Sequence, residues 1–423
     1  MIAEFTIENF RSFKERNTFS LVATNDKELS ESNTFEGKRN RFLKSAIIYG
    51  ANASGKSNFF NALVFFFNFS VHSGPRKQDG DPTDSVPFIL SKQTESRPSS
   101  FEIIFFVPGE RGETRYRYGF TVDKEQVHEE YLLAIYNMRE VTLFSRNFQQ
   151  ITCSSYFKEG ARSKTSVRTN CTFLSVCAQH NGTISKEIIT YFRNFTVLFG
   201  SSALEKRILS DNKPKQENKK ARIQFLKYAD IQVTDVSTEL KPIIDDIQLP
   251  DDNAITTAMK NMYAGMQIEK VKFGHPFYDE EKQIGERYMD EQDESAGTQK
   301  LHFYSEFILR ALETGNTLFI DEFDIMLHPI IIEHIFNIFN SVETNPKNAQ
   351  LIVSSHSVTL MTNKSLRRDQ IWFCEKDQYG ATDLYSLAEY KVRIDATYNK
   401  DYLRGKYGAV PSLGNFLPIG FEE

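Results

Sequence analysis

The strongest constraint on this chain is a glycine-bounded loop, Gly50-Ala51-Asn52-Ala53-Ser54-Gly55-Lys56-Ser57, which fits the pattern G-x-x-x-x-G-K-[ST]. The preceding run from Ala46 to Tyr49 predicts a buried strand, and Asn58 to Phe69 predicts a helix because its apolar residues recur at helical spacing. A strand, a tight loop and a helix N-terminus in this order direct successive backbone N–H groups at phosphate oxygens. The alternative is a glycine-serine turn that precedes a lysine by chance. The pattern predicts a strand–loop–helix unit that binds a nucleotide.

The residue types in the loop match the chemistry of a nucleotide's phosphates. The Lys56 ammonium is expected to reach the β- and γ-phosphates, and the Ser57 hydroxyl to ligate Mg²⁺. The other positions contribute mainly backbone N–H groups. The predicted phosphate-binding residues are Gly50, Asn52, Ala53, Ser54, Gly55, Lys56, Ser57 and Asn58.

Two adjacent carboxylates follow a second apolar run, Thr317 to Ile320. Functional groups collect at the carboxyl ends of parallel strands, so Asp321 is expected to hold Mg²⁺, directly or through water. Glu322 is expected to orient and deprotonate the water that attacks the γ-phosphate. A strand that ends in a capped Asp-Glu turn is the structural alternative.

Two further elements complete the predicted site. His356 follows the apolar run Gln350 to Ser354 and could hydrogen-bond the γ-phosphate. Standing alone it would be interpreted as a surface histidine at a strand end, but its position after the Asp-Glu pair favours the phosphate contact. The turn Glu294 to Gln299 opens a predicted helix with Ser295 and Gly297, and therefore offers a second helix N-terminus suited to phosphate.

Composition narrows the class of protein. At 423 residues the chain predicts two domains, or one domain with a sizeable insertion. A net charge of -5 argues against a uniformly basic nucleic-acid coat. The four cysteines lack metal-ligand spacing, and no apolar run approaches the roughly 18 residues of a membrane span. We therefore expect a cytoplasmic protein that does not enter a membrane.

In chain order the motifs resemble the layout of ABC-type ATPases. The opening Ile7-Glu8-Asn9-Phe10-Arg11-Ser12-Phe13 resembles the N-terminal signature of the SMC/RecF/OLD branch, and the run from Asp321 to Pro329 resembles its extended Walker B motif and D-loop. The resemblance implies an α/β fold, an ABC-type ATPase head with a β-rich lobe and an α/β lobe. The helical pattern of Thr172 to Phe195, followed by Ala203 to Tyr228 with its basic middle, predicts an inserted helical subdomain. The predicted domains are lobe I at 1–170, the subdomain at 171–267 and lobe II at 268–423.

The same resemblance implies ATP and Mg²⁺ as cofactors and a nucleotide sandwiched between two protomers. One protomer would supply Lys56, Ser57, Asp321, Glu322 and His356, together with Arg11 from the opening motif, and its partner would supply Ser295 and Gly297. Hydrolysis would then require a homodimer or a higher homo-oligomer. The signature turn departs from the usual motif, with Ala296 where glycine is usual and Thr298 where glutamine is frequent.

The run from Asp401 to Pro411 most resembles the small stand-alone ATPases of bacterial phage-defence systems. Such relatives imply an ATPase sensor or scaffold that works with a separately encoded effector, often a Toprim-type nuclease. The alternative is a RecF-like repair ATPase that binds DNA, with the basic run Lys213 to Arg222 in its surface; a solvated loop also explains that run. The glutamine that such enzymes place near Mg²⁺ is either Gln78 or Gln93, and the sequence does not choose.

Overall fold

The computed structural model describes residues 1–109, 112–136, 139–200, 219–242, 267–362, 364–392 and 397–412. The chain divides into two compact units. Unit 1 comprises Met1–Ser210, Ala311–Ile325 and Ile332–Glu423, and unit 2 comprises Asp211–Arg310 and Met326–Ile331.

The regular elements are numbered here in chain order. The strands are β1 (Ile2–Glu8), β2 (Asn17–Ser20), β3 (Thr34–Glu36), β4 (Arg41–Leu43), β5 (Ser45–Tyr49), β6 (Ser99–Gly109), β7 (Gly112–Val122), β8 (Val127–Tyr136), β9 (Arg139–Asn147), β10 (Gln150–Cys153), β11 (Thr196–Phe199), β12 (Asp235–Pro242), β13 (Gln267–Asp279), β14 (Lys282–Asp290), β15 (Thr317–Asp321), β16 (Gln350–Ser354), β17 (Ile371–Lys376) and β18 (Thr382–Ser386). The α-helices are α1 (Ser30–Asn33), α2 (Lys56–Arg76), α3 (Phe173–Gln179), α4 (Thr183–Arg193), α5 (Lys219–Tyr228), α6 (Ala296–Thr314), α7 (Pro329–Asn340) and α8 (Tyr398–Leu403).

Unit 1 contains two large sheets. The first is antiparallel and has the strand order β10-β9-β8-β7-β6-β1-β2. The second has the order β11-β15-β16-β5-β17-β18, in which the first five strands are parallel and β18 runs antiparallel to β17. Every residue of β5, β15 and β16 is buried, which explains why these strands are apolar runs with little alternation. The predicted α/β class is therefore confirmed.

Helix α2 joins the two sheets through a phenylalanine-rich core. Phe66 meets Phe5 of the first sheet edge-on at 5.5 Å and stacks on Phe120 at 5.3 Å. The same core cluster includes Ile48 and Phe319 from the second sheet. The helix that begins at the phosphate loop is therefore anchored on both sheets, and much of the protein's phenylalanine content lies in this core.

The end of α2 corrects one expectation. The composition of residues 73–85 predicts an exposed loop, but α2 continues to Arg76, with Pro75 in its last turn. Ser73 and Gly74 are buried, and the Gly74 N–H donates to Ser175 Oγ of α3 at 3.1 Å. Packing against α3 thus extends the helix beyond its predicted end.

Unit 2 contains a three-stranded antiparallel sheet in the order β12-β13-β14. Helix α5 and the first part of α6 also belong to this unit. Phe273 of β13 is buried, with its ring 4.9 Å from the imidazole of His302 in α6. In the residues that the structure describes, no helix is long and apolar enough to cross a membrane.

The segment predicted as an inserted helical subdomain, 171–267, is divided between the two units. Helices α3 and α4 lie in unit 1, where β11 pairs in parallel with β15. Helix α5 and strand β12 lie in unit 2. Residues 213–218 of the basic run fall outside the described residues, and its remaining residues open α5. Pairing of β11 with the distant strand β15, which helical periodicity does not reveal, places the end of 173–199 in the second sheet of unit 1.

Candidate functional site

The strand order brings the predicted site residues of unit 1 to one sheet edge. Strand β16 lies between β15 and β5, and all three are parallel. Their carboxyl ends therefore place Asp321, Ser354 and Gly50 side by side. The phosphate loop and the Asp-Glu pair are separated in sequence but meet at this edge.

The loop conformation requires glycine at two positions. Gly50 and Gly55 have φ of 156° and 113°, and Ala53 also has a positive φ, 62°. A Cβ on Gly50 would collide with the backbone oxygen of Cys374, and one on Gly55 would collide with the Thr382 side chain. The neighbouring strands β17 and β18 thus pack so closely against the loop that only glycine fits at these two positions.

Lys56 lies buried across the loop. Its Nζ donates to the backbone oxygens of Gly50 at 2.8 Å and Ala51 at 3.0 Å. Burial lowers the pKa of Lys56, while nearby acidic groups, including Asp321 and Glu322, oppose the shift. Phosphate oxygens are stronger acceptors for an ammonium than backbone carbonyls, so the lysine is placed to exchange these partners for a nucleotide.

Ser57 and Asp321 form the predicted metal-binding pair. The Asp321 carboxylate accepts a hydrogen bond from Ser354 Oγ. Burial raises the pKa of Asp321, and interactions with the Ser354 and Ser57 hydroxyls act in the opposite direction. A hydroxyl and a carboxylate fit Mg²⁺, which takes oxygen ligands and keeps waters and phosphate oxygens in its remaining positions. Within the described ranges, no group of three or more His, Cys, Asp or Glu residues forms a dedicated metal cage.

Glu322 occupies a strained turn directly after β15. Its φ is 51°, an uncommon value for a residue other than glycine. The Glu322 N–H donates to Ser354 Oγ at 2.8 Å, and the Phe323 N–H donates to the Ser354 backbone oxygen at 3.0 Å. Ser354, the last residue of β16, therefore holds both the backbone of the turn and the carboxylate of Asp321.

His356 is exposed at the next turn, where Asp324 organises the backbone. The carboxylate of Asp324 accepts from the N–H groups of His356 and Ser357, each at 3.1 Å from Oδ2. Burial, followed by the charge of Lys56, lowers the pKa of His356, so its imidazole is neutral at pH 7. Neutral imidazole can donate one hydrogen bond to a phosphate oxygen without carrying a charge.

Sequence reasoning missed Ser354 and Asp324 as organising residues. Both stand within motifs that the sequence does reveal, the hydroxyl-rich end of β16 and the D-E-F-D run after β15. Their roles depend on contacts over 32 and 33 residues, such as Ser354 with Glu322 and Asp324 with Ser357. Hydroxyl and carboxylate groups at the ends of neighbouring buried strands are the sequence feature that could have indicated them.

On its other side the loop is supported by Ser12 and Thr382. Asn58 Nδ2 donates to Ser12 Oγ at 2.8 Å, and Thr382 Oγ1 donates to the Ser54 backbone oxygen at 2.8 Å. The Ser54 hydroxyl is buried without a hydrogen-bond partner in the described structure, as expected for a polar atom beside a ligand site. Asn52 and Ala53 are exposed at the tip of the loop.

Arg11 and the two candidate glutamines also lie in unit 1. Arg11 is exposed, and its N–H donates to the Val86 backbone oxygen at 2.8 Å. The Gln78 backbone oxygen accepts from Asn170 Nδ2 at 2.6 Å, and Gln93 is exposed. The choice between the two glutamines stays open.

Ser295 and Gly297 lie in unit 2, at the start of α6. Ser295 Oγ accepts from the Thr298 N–H at 3.1 Å and lies 2.8 Å from the Thr298 hydroxyl. Ser295 therefore caps the start of the helix, and the Thr298 hydroxyl contacts the capping side chain. A Cβ on Gly297 would lie 3.0 Å from the backbone oxygen of Met326. Their contact with a nucleotide stays a prediction.

A parallel sheet that gathers a glycine-bounded phosphate loop, a serine–aspartate pair and an adjacent glutamate at one edge defines the class of P-loop ATPases. Residues 45–362 match the family AAA_21, described as "AAA domain, putative AbiEii toxin, Type IV TA system", and the chain belongs to this family. The expected relation to ATPases of abortive-infection systems is confirmed at that level.

Two SMC heads are among the solved structures that this chain resembles at low sequence identity. The SMC head bound to the C-winged helix domain of ScpA is 16% identical, with a TM-score of 0.40, over 91% of this chain and 97% of that one. The SMC head domain from Thermotoga maritima is 12% identical, with a TM-score of 0.37, over 91% and 98%. No curated protein sequence matches this chain significantly.

Proposed function

We propose that this protein binds ATP with Mg²⁺ at the carboxyl edge of its parallel sheet and hydrolyses it to ADP and phosphate. The observation that carries the proposal is the convergence of Lys56, Ser57, Asp321 and Glu322, which Ser354 helps to hold in place. A loop with a buried lysine and two adjacent carboxylates supplies both the charge stabilisation and the base that phosphoryl transfer to water needs.

The residues would divide the work as follows. Lys56 and the loop N–H groups stabilise negative charge on the β- and γ-phosphates, while Ser57 and Asp321 hold Mg²⁺, which neutralises phosphate charge when bound. Glu322 orients the attacking water and takes its proton. His356, neutral at pH 7, donates to a γ-phosphate oxygen and thus distinguishes ATP from ADP.

We further propose that the working site is composite, with Ser295 and Gly297 supplied by a second protomer. Ser295 is exposed, and its hydroxyl marks the capped N-terminus of α6, where the helix dipole favours negative charge. The γ-phosphate would then be bound from both protomers, and ATP binding would promote dimerisation. Hydrolysis would release the dimer.

The proposed biological role is that of an ATPase sensor or scaffold that controls a separate toxic effector in anti-phage defence. Membership of a family described by an abortive-infection toxin supports the setting. A Toprim-type nuclease is the effector that we propose. In the DNA-repair alternative, the basic run would contact DNA; its first described residue, Lys219, pairs instead with Asp235 at 2.6 Å.

Two substitutions test the active site. Glu322→Gln should keep ATP binding, measured by calorimetry, and abolish phosphate release, whereas Lys56→Ala should weaken binding itself. Unchanged hydrolysis by the Glu322 variant would overturn the assignment of the base. Salt-dependent stimulation of the ATPase rate by DNA would favour the repair function over the defence function.

A complementation experiment tests the composite site. Lys56→Ala and Ser295→Arg protomers should each be inactive alone, because every site in either homodimer is damaged. Mixed dimers contain one site with an intact Lys56 and an intact partner Ser295, so mixing should restore part of the activity. Absence of restoration in dimers shown by mass to be mixed would refute sharing between protomers.

A further inference from the structure

Beside the phosphate loop, unit 1 exposes a group of large apolar side chains. Ile89, Leu90 and Tyr379 are 65%, 68% and 70% exposed, respectively. They belong to two segments far apart in sequence, but Leu90 Cδ1 lies only 2.6 Å from the position of a Cβ on Gly380, next to Tyr379. The three side chains therefore belong to one local surface, here called the apolar rim.

The rim is held by hydrogen bonds and is therefore not a loosely attached loop. The Asp377 carboxylate accepts from the N–H groups of Tyr379 at 2.9 Å and Ala381 at 2.8 Å, which fixes the turn between β17 and β18. In the other segment the Phe88 N–H donates to Asn9 Oδ1 at 3.1 Å. Rigid presentation of large apolar side chains to solvent costs hydration free energy and is typical of a binding surface.

The same hydrogen-bonded framework connects the rim to the phosphate loop. Thr382, three residues after Tyr379, donates through Oγ1 to the backbone oxygen of Ser54 at 2.8 Å, and the same Oγ1 lies within hydrogen-bonding distance, 2.8 Å, of Ser12 Oγ. Arg11, adjacent to Ser12, donates its N–H to the Val86 backbone oxygen on the Ile89 segment. The rim and the exposed Arg11 thus border the side of the loop that Ser12 and Thr382 support.

The strand order indicates which end of a nucleotide would lie over the apolar rim. On one side of β5 lie β16 and β15, whose ends carry His356, Asp321 and Glu322, the groups placed to act on the γ-phosphate. The nucleoside end of a nucleotide held by the loop must leave in the opposite direction. On that side lie β17 and β18 and the turn that carries Tyr379.

We propose that Ile89, Leu90 and Tyr379, with Arg11 beside them, form the surface that binds the base of the nucleotide, an inference that rests on the proposed nucleotide site. Aliphatic and aromatic side chains contact the face of a planar base, and a guanidinium can stack on it. Contact with the face of the base depends little on which base is bound, because every base has a planar face. The surface therefore favours the presence of a base and discriminates weakly between adenine and guanine.

The experiment measures binding by calorimetry in the Glu322→Gln protein, so that turnover does not interfere. The probes are MgATP, MgGTP and magnesium tripolyphosphate, which lacks the nucleoside. Tyr379→Ala should weaken ATP and GTP binding roughly tenfold and leave tripolyphosphate binding unchanged. Tyr379→Phe should restore nucleotide affinity, and Leu90→Ser should act in the same direction as Tyr379→Ala.

Tyr156→Ala is the matched control, because Tyr156 is a 60% exposed tyrosine that follows β10, at the far edge of the antiparallel sheet. It should leave every affinity unchanged. Equal losses for ATP and tripolyphosphate, unchanged ATP affinity in Tyr379→Ala, or a change confined to self-association would each overturn the proposal. Failure of the unsubstituted site to bind ATP would instead overturn the proposed function.

Discussion

Ser354→Ala is the substitution for which the structure gives the sharpest expectation. The buried hydroxyl of Ser354 donates to the buried carboxylate of Asp321 and accepts from the Glu322 N–H at 2.8 Å. A hydrogen bond to a charged group contributes about 1.5–3 kcal/mol and a neutral one about 0.5–1.5 kcal/mol. Because the alanine methyl removes both hydrogen bonds, we expect the free energy of unfolding to fall by about 2–4 kcal/mol.

Ser354→Ala should also slow hydrolysis more than it weakens binding. The hydroxyl holds the turn that carries Glu322, and a displacement of a reacting group by about 1 Å can cost roughly a hundredfold in rate. Lys56 and the loop amides, which we propose to bind the phosphates, do not depend on this hydroxyl. We therefore expect kcat to fall roughly tenfold to a hundredfold, with a smaller change in ATP affinity.

Steady-state phosphate release and urea unfolding measure the two effects. Ser354→Thr retains the hydroxyl and should recover part of the rate. Ser355→Ala is the matched control, because the neighbouring buried Ser355 accepts instead from the Ser357 N–H at 2.9 Å. Wild-type kcat in Ser354→Ala, together with a loss of stability below about 0.5 kcal/mol, would refute the bridging role, since surface substitutions already reach that size.

Three further expectations concern other parts of the molecule. Glu130→Ala should lower the free energy of unfolding by about 3–5 kcal/mol in urea titrations, because it leaves the fully buried Arg146 without its carboxylate; a loss below about 1 kcal/mol would contradict this. Gly50→Ala should abolish ATP binding in calorimetry while circular dichroism stays unchanged, because its Cβ would meet the backbone oxygen of Cys374; wild-type affinity would count against the loop geometry. Burial lowers the pKa of His302 to about 3. The neutral imidazole therefore contributes at most about 5 kcal/mol to the free energy of unfolding above pH 6.5, and this contribution is lost as the pH falls towards 3. Thermal unfolding across this range should show a flatter pH dependence for His302→Gln, and an equal slope would exclude His302 as the cause.

Local patterns in the sequence were sufficient where function depends on contiguous residues. The phosphate loop, its strand and its helix are neighbours along the chain, so residue types and spacing identify them together. The two predicted apolar strands are likewise confirmed as β15, which ends at Asp321, and β16, which ends two residues before His356. Fully buried strands are apolar runs, which the sequence displays directly.

The extent of the inserted segment and the support of the loop by Ser12 and Thr382 could not be predicted from the sequence. Helical periodicity suggested one subdomain at 171–267, whereas the pairing of β11 with β15 places part of it in unit 1. Periodicity describes one element at a time and does not state which distant strand will pair with it. The roles predicted for Ser295 and Gly297 depend on a second protomer and stay predictions.

The sequence by itself determined that this protein carries a phosphate loop, a following helix and a pair of carboxylates after a buried strand. Only the tertiary structure decided how they meet: Ser354 joins Asp321 and Glu322 across 33 and 32 residues, and Thr382 supports the loop through Ser54 across 328. The physical reason is that backbone preferences and apolar spacing act locally. These hydrogen bonds exist only after the strands have taken the order β15-β16-β5-β17-β18.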